Sequence, residues 1–211
     1  MAEKNHIAEV RLRRIEFATK GATGQKAKTE HTLASTLHWP RYGTQSKTVA
    51  RPVEMDGMSR DYAPEDWADA ILFKESIQPP SAVTFQLSVP LASDALAKTL
   101  GAILKAGLTV AGDFAESLMP SKGLGKIASA PFDAFATAAT NRAEGVLGQG
   151  TLLLDEALLE KECEVEVELR APRDIVKTSA ATKRNGYTPR DKKLVAKGDV
   201  TARLLLVLTP R

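Results

Sequence analysis

The residues with the clearest chemical potential in this sequence are positively charged and lie close together near its C-terminal end. Between Arg173 and Asp199 the chain has three acidic residues and eight basic ones, namely Arg173, Lys177, Lys183, Arg184, Arg190, Lys192, Lys193 and Lys197. This local excess of five positive charges is larger than the net charge of +3 of the whole chain, so the remainder is slightly acidic. Charge clustered in this way can attract a negatively charged partner.

We expect five of these residues to contact the partner: Lys183, Arg184, Arg190, Lys192 and Lys193. Their charge predicts an anionic membrane surface or an acidic protein, because each Lys or Arg near an anionic leaflet contributes about 1 kcal/mol. Nucleic acid is disfavoured, because single-strand binders stack bases on several aromatic residues and this segment has only Tyr187. The alternative is a solvated loop or hairpin tip without a partner, since Asn185-Gly186 and Pro189 are typical of turns.

Acidic residues do not form the pattern of a calcium site. Calcium takes about six to eight oxygen ligands, which usually come from closely spaced carboxylates on neighbouring loops. The candidate loops offer Asp56 and Asp61, or Asp66 and Asp69, and on the other side Asp94 alone. The sequence therefore predicts calcium-independent behaviour, with no metal and no other cofactor.

Residues that could perform catalysis are few and badly placed for it. His6, His31 and His38 all lie in the first 40 residues, and His31 and His38 differ in strand parity, so they could not share a metal within one strand. We expect these histidines to be half-buried or exposed. Cys163 falls on the apolar side of its strand, which favours a small core residue over a nucleophile. The glycine-rich stretch 145–150 precedes a strand and has no Lys-Ser/Thr, unlike a phosphate-binding loop. We therefore predict a protein that is not an enzyme.

The elements that carry these residues are mostly strands. Strict alternation over 163–169 puts Cys163 and three apolar residues on one face and three glutamates on the other, as in an antiparallel sheet with one dry side. The strand over 82–89 is predicted to turn its apolar residues inward and Thr84, Gln86 and Ser88 outward. Similar patterns predict strands over 6–17 with a bulge near Arg13 and Arg14, over 30–40, 70–77, 150–154, 162–171 and 199–208, and an irregular stretch over 53–66.

One long stretch has a helical period instead. From Ser93 apolar residues recur every three or four positions until Pro120, and a second helical piece runs from Pro131 to Gly145. This predicts a helical hairpin over about 93–145, inserted between strands. Its apolar run is too short for the roughly 20 residues of a membrane-spanning helix. Its Gly and Ala residues permit close packing on the chain's own sheet, on another subunit or at a lipid interface.

Most of the chain resembles a C2 domain, and its C-terminal part is similar to the second half of such a domain. The resemblance rests on the Gly148–Leu154 step followed by Leu158-Leu159, on Val165–Pro172, and on the closing Gly198–Leu208 strand. It implies an eight-stranded antiparallel Greek-key β-sandwich that docks on phospholipid head groups or on proteins. The helical insertion then replaces a loop that carries calcium ligands in the family. We therefore expect residues 1–211 to form one C2-like β-sandwich domain with the insertion at about 93–145.

Two functions remain open from the sequence. The first is a non-enzymatic interaction module that docks through the basic segment on an anionic membrane surface or an acidic protein. The second is a structural subunit of a larger assembly or homo-oligomer, in which the helical insertion is the interlocking element. The single cysteine fits a reducing compartment, and the first nine residues lack the hydrophobic stretch of a secretory signal, so we expect a cytoplasmic protein.

Overall fold

The computed structural model describes residues 6–18, 28–40, 44–66, 70–77, 79, 81–88, 146–178 and 191–210. Within these ranges the chain is mainly antiparallel β-sheet with very little helix. The helical hairpin predicted over about 93–145 lies outside the described residues.

Eleven strands and one short helix make up the described chain. The strands are β1 His6–Phe17, β2 Lys28–Pro40, β3 Thr44–Asp56, β4 Ser59–Asp61, β5 Ile71–Ile77, β6 Ser81–Ser88, β7 Val146–Leu154, β8 Cys163–Arg170, β9 Ile175–Thr178, β10 Asp191–Val195 and β11 Val200–Pro210. Helix α1 spans Glu156–Leu159, and a 3-10 turn spans Pro64–Asp66. The carboxylate of Asp155 caps α1 by accepting a hydrogen bond of 2.9 Å from the backbone N–H of Leu158.

Nine of the strands form one nearly closed antiparallel sheet. Their order is β11-β8-β7-β6-β2-β3-β4-β1-β5, and β11 also pairs with β1. At two places, which we call joints, neighbouring strands are paired through a single residue pair. β3 meets β4 only where Asp56 faces Ser59, and β7 meets β8 only where Gln149 faces Arg170. The joints divide the sheet into a first half, β3-β2-β6-β7, and a second half in which β8, β11 and β1 are followed by β4 and β5.

Most strands agree with the sequence prediction, but β3 and β4 do not. The bulge predicted near Arg13 and Arg14 is confirmed by a register shift between Leu12 and Arg14. β3 is missing from the prediction, and the stretch from Val53 predicted to be irregular starts inside it. β3 mixes charged and apolar residues and contains Pro52, which a sheet tolerates on an edge strand. β3 has such an edge, since it pairs along its length with β2 and meets β4 only where Asp56 faces Ser59.

One hydrophobic core contains residues from both halves of the sheet. Alternate residues of most strands point into it, including Val83, Phe85 and Leu87 of β6 as predicted. Burying each large apolar side chain stabilises the fold by about 2 kcal/mol. The largest fully buried side chains include Phe17, Phe85, Ile15, Leu33, Leu37, Leu169 and Leu204.

The narrow joint between β7 and β8 depends on a glycine. A methyl group placed on Gly150 would overlap the backbone carbonyl oxygen of Glu168 and would lie 2.9 Å from Cδ2 of Leu169. The two backbones therefore approach each other more closely than any side chain at position 150 would permit. This close approach joins the two halves of the sheet.

The outward side of β8 is charged, as its alternation predicts. Glu164 and Glu166 are exposed, and both are paired with arginines, one on β1 and one on β11. Nε of Arg13 lies 3.3 Å from Glu164, and Nε of Arg203 lies 3.4 Å from Glu166. The predicted dry and wet faces of this strand are confirmed.

Candidate interaction site

The basic segment folds into a two-stranded hairpin, β9–β10, separate from the main sheet. Asp191 is paired with Thr178, Lys192 with Lys177, and Lys193 with Val176. A register shift follows Lys193 and brings Val195 opposite Ile175. A hairpin is one of the two forms that the sequence allowed for this segment.

Apolar residues attach the base of the hairpin to the core. Val195 is buried in the core cluster, and Ile175 and Leu194 pack partly buried against it. The other ends of both strands continue into residues 179–190, which lie outside the described chain. The described lysines of β10 are thus held at a fixed place relative to the core.

Asp174 fixes the chain around the base of the hairpin. Its carboxylate accepts a hydrogen bond of 2.8 Å from the backbone N–H of Lys197, and it lies 2.6 Å from Nζ of Lys193. The side-chain hydrogen bond from Lys193, together with the backbone hydrogen bond from Lys197, lowers the pKa of Asp174. Gly198 follows with φ of +88°, a left-handed conformation that glycine adopts without strain, and the chain turns there into β11.

Two of the five predicted partner-binding residues lie in the described chain. Lys192 and Lys193 are both exposed on β10. Lys183, Arg184 and Arg190 lie outside the described residues, so their placement stays a prediction.

Further residues extend this basic site. The exposed residues Arg173 and Lys197 flank the hairpin and carry positive charge. Val176, opposite Lys193, is 46% exposed and gives the hairpin an apolar contact that the charge pattern could not indicate. The hairpin therefore offers a mixed basic and apolar surface.

The candidate metal ligands and histidines have other environments. Within the described ranges, no three His, Cys, Asp or Glu side chains lie together as a metal site would require. The expectation of half-buried or exposed histidines is wrong for His31 and His38, which are both buried. They do lie on opposite faces of β2: His31 packs on Phe17 with ring centroids 5.2 Å apart, and Nε2 of His38 lies 3.3 Å from Oγ1 of Thr84.

Burial changes the protonation of one of these histidines. Because the charged imidazolium is poorly solvated inside the protein, the pKa of His38 falls from 6.5 to about 4. His38 is therefore neutral at physiological pH. The side chain of His6 lies outside what the structure describes.

Cys163 lies partly buried against the core, and its Sγ is 3.7 Å from the carbonyl oxygen of Leu158. A groove beside it is lined by Arg13, Glu162, Glu164 and Thr209, among others. These side chains pair with one another, since Arg13 contacts Glu164 and Oγ1 of Thr209 lies 3.2 Å from Glu162. The groove thus presents charged groups that are already partnered.

Comparison with known proteins does not identify a family for this chain. No family model matches the chain, and no curated protein matches it. One solved structure, of CC2D1B, described as coordinating ESCRT-III activity during mitotic reformation of the nuclear envelope, aligns with a TM-score of 0.36 and 11% identity. The alignment covers 99% of this chain and 55% of that one. Similarity at this level assigns neither a family nor a function. Across the described residues, no helix is long and apolar enough to cross a membrane.

Proposed function

We propose that this chain is a non-enzymatic, calcium-independent interaction module of the cytoplasm that docks on an anionic surface through the β9–β10 hairpin. In this proposal the two halves of the sheet form a Greek-key β-sandwich of the C2 kind, which acts as the support for the hairpin. The observation that carries the proposal is the pair of exposed lysines, Lys192 and Lys193, on a hairpin whose base is packed on the core.

The hairpin geometry favours a binding role over that of a freely moving loop. Ordering a solvated loop on a partner costs conformational entropy, which weakens binding. Strand pairing and the burial of Val195 have already ordered β10, so this cost is smaller for the hairpin. Lys193 forms an ion pair with Asp174, while Lys192 makes no ion pair within the described residues. Of the two exposed lysines of β10, Lys192 is therefore the one whose charge is not already shared with a carboxylate.

Charge reversal at the hairpin tests this function. The double variant Lys192→Glu/Lys193→Glu changes the local charge by four units, so binding to vesicles containing anionic phosphatidylserine should weaken about a hundredfold or more at low salt. A matched control is Lys74→Glu/Lys161→Glu, which reverses two exposed lysines away from the hairpin. The control should bind at least a tenth as tightly as the wild type, because only its long-range charge differs.

The same experiment separates the two kinds of anionic surface. Cosedimentation with phosphatidylserine vesicles detects a membrane partner, while capture of an acidic polypeptide such as polyglutamate detects affinity for acidic protein. Binding to either should fall as salt rises from about 0.05 to 0.5 M, because the Debye length shrinks below the size of the patch. Equal binding by the hairpin variant, the control variant and the wild type, with unchanged melting curves, would refute the proposed function.

A further inference from the structure

The β9–β10 hairpin is the outer end of a longer pair of chains. β8 leads into β9, and β10 leads into β11. Two backbone hydrogen bonds of 2.8 Å join the connecting stretches, from the N–H of Ala171 to the oxygen of Asp199 and from the N–H of Gly198 to the oxygen of Ala171. The hairpin therefore follows the β8–β11 ladder as a continuation of the same two paired chains.

A third strand accompanies only one end of this pair. β1 pairs with β11 as far as Phe17, which faces Ala202. Within the described chain, β9 and β10 form a sheet of two strands, so no described strand lies along the other edge of β10. The segment Asp191–Val195 contains no proline, so each of its residues has an N–H as well as a C=O. An edge of this kind can accept another strand.

The charge of β10 restricts which strand can be accepted. Successive side chains of a strand point to opposite faces, so Lys192 and Lys193 place positive charge on both faces at this edge. A second copy of β10 would bring lysines close to lysines, and like charges that face each other across strands are destabilising. An acidic strand would form opposite-charge pairs instead. The edge therefore favours an acidic partner over a second copy of itself.

The two faces of the hairpin favour different side chains in that partner. On one face Lys193 is opposite Val176, which is 46% exposed, and Nζ of Lys193 is already 2.6 Å from a carboxylate oxygen of Asp174. On the other face Lys192 makes no ion pair within the described residues. A matching strand would have acidic residues on the face of Lys192 and Val or Thr, which favour strands, on the face of Val176.

We propose that β10 binds an extended acidic segment of a partner protein as a third, antiparallel strand, in which acidic residues alternate with Val or Thr. This inference rests on the proposed function and assigns its anionic surface to a protein. Backbone hydrogen bonds along β10 provide affinity, and the pairing of Lys192 with a carboxylate provides specificity. Because Val195 already packs the base of the hairpin on the core, β10 is ordered before the partner arrives.

Designed peptides test strand addition on the full-length protein. The probe is a fluorescein-labelled peptide of sequence Thr-Glu-Val-Glu-Val-Glu-Thr. Its matched control has N-methyl groups on the central Glu and on the Val before it. The N–H groups of adjacent residues point to opposite edges of a strand, so the control keeps its charge but loses backbone hydrogen bonds on both edges. In fluorescence anisotropy at low salt, we expect the probe to bind about tenfold more tightly than the control, or better.

Charge exchange between protein and peptide locates the binding site. Lys192→Glu leaves the ion pair of Lys193 with Asp174 intact and should weaken binding of the probe about tenfold or more. A peptide with Lys in place of each Glu should bind this variant more tightly than it binds the wild type. The control variant Lys161→Glu reverses an exposed lysine elsewhere and should change neither affinity by more than about threefold. Equal effects of the two variants would place the peptide away from β10.

Hydrogen exchange measures the backbone contact itself. When the probe binds, amide exchange over residues 191–195 should slow about tenfold or more, while exchange over β8 stays unchanged. Exchange over 191–195 that is equally slow with and without the probe would show that the edge is already occupied, and would overturn the inference.

The outcomes distinguish this inference from the function on which it rests. Equal affinity of the probe and the N-methylated control would mean that charge alone attracts the peptide, which overturns strand addition and leaves the proposed function intact. Binding to phosphatidylserine vesicles but to neither peptide would also overturn it, because the partner would then be a membrane. No binding to vesicles, polyglutamate or either peptide would overturn both the inference and the proposed function.

Discussion

β8 in the second half of the nearly closed sheet and the pair β2 and β6 in the first half have opposite kinds of outer surface. On the second half the outward residues of β8 are glutamates, exposed to solvent and paired with arginines such as Arg203. On the first half the outward residues of β2 and β6 are small and neutral, such as Thr36 and Thr84, and they are buried. Both strand sets alternate with period two, so alternation determines which way a side chain points but not whether solvent reaches it. The outward residues are charged in β8 and neutral in β2 and β6 between Thr32 and Ser88.

The largest loss of stability should come from placing a charged side chain, of the kind found on β8, on the buried outer face of β2 and β6. Thr84→Glu would bury a carboxylate at a position that is 2% exposed, and an unpaired buried charge costs about 3 kcal/mol or more. Urea denaturation should show this loss. The reverse exchange on the exposed face, Glu166→Thr, should change stability by less than about 0.5 kcal/mol. Similar losses for both variants would remove the distinction between the two faces.

A second large loss of stability is expected from a substitution at Gly150, where β7 of the first half meets β8 of the second. Gly150→Ala would place a methyl group against the carbonyl oxygen of Glu168, and the overlap should destabilise the fold by about 3 kcal/mol. The thermal midpoint would report it. Leu153→Ala, on the same strand but at an exposed position, is the control and should cost much less. A stable Gly150→Ala protein would mean that the halves are held together elsewhere.

Acid should weaken the buried outer face through His38. Its pKa is about 4 in the folded protein and about 6.5 in the unfolded chain, so unfolding takes up a proton below pH 6.5. The stability that neutral His38 provides is complete above pH 6.5 and is lost as the pH falls towards 4.

Denaturant titrations at two pH values measure this loss. Between pH 7 and pH 4.5 the wild type should lose about 2 kcal/mol more than His38→Gln, which cannot titrate. Comparison with the variant cancels the contributions of the other groups. Parallel losses in the two proteins would show that His38 is accessible to protons in the folded state.

The smallest effect should appear on the exposed face. Glu166→Gln removes one charge from a solvent-exposed pair 3.4 Å from Arg203, and such pairs contribute about 0.5 kcal/mol or less. Arg203 also keeps Glu168 at 3.9 Å. Urea denaturation at low and high salt should give nearly the same midpoint for the variant and the wild type. A loss above about 1 kcal/mol would mean that these ion pairs are a real source of stability.

The strands were predictable where one side is apolar and the other charged. β8 and β1, including the bulge before Arg14, follow from alternation because the hydrophobic effect sorts their two faces. β3 does not follow, because as an edge strand it tolerates Pro52 and mixed polarity. The burial of His38 and Thr84 was also beyond prediction, since polar side chains on the outward parity normally indicate solvent.

The sequence was enough to predict that the candidate site is basic and exposed, but not which residues contact one another there. The exposure of Lys192 and Lys193 follows from the cost of burying ammonium groups. The role of Asp174 does not, because its partners Lys193 and Lys197 lie far along the chain and only the hairpin brings them near. Val176 was missed because an apolar residue in a strand is normally assigned to a core.

The incomplete closure of the sheet at β3 also bears on strand addition by other molecules. An unpaired strand edge is a template on which another chain can add. β3 leaves such an edge, since it is bonded to β2 on one side and meets β4 at one residue among those described. Pro52 interrupts that edge because it has no N–H to donate, and the ion pair of Lys47 with Glu75 ties β3 to β5. Replacing Pro52 by Val would restore an N–H at this position, so the residue that obscures β3 in the sequence also makes its edge a poorer template for another strand.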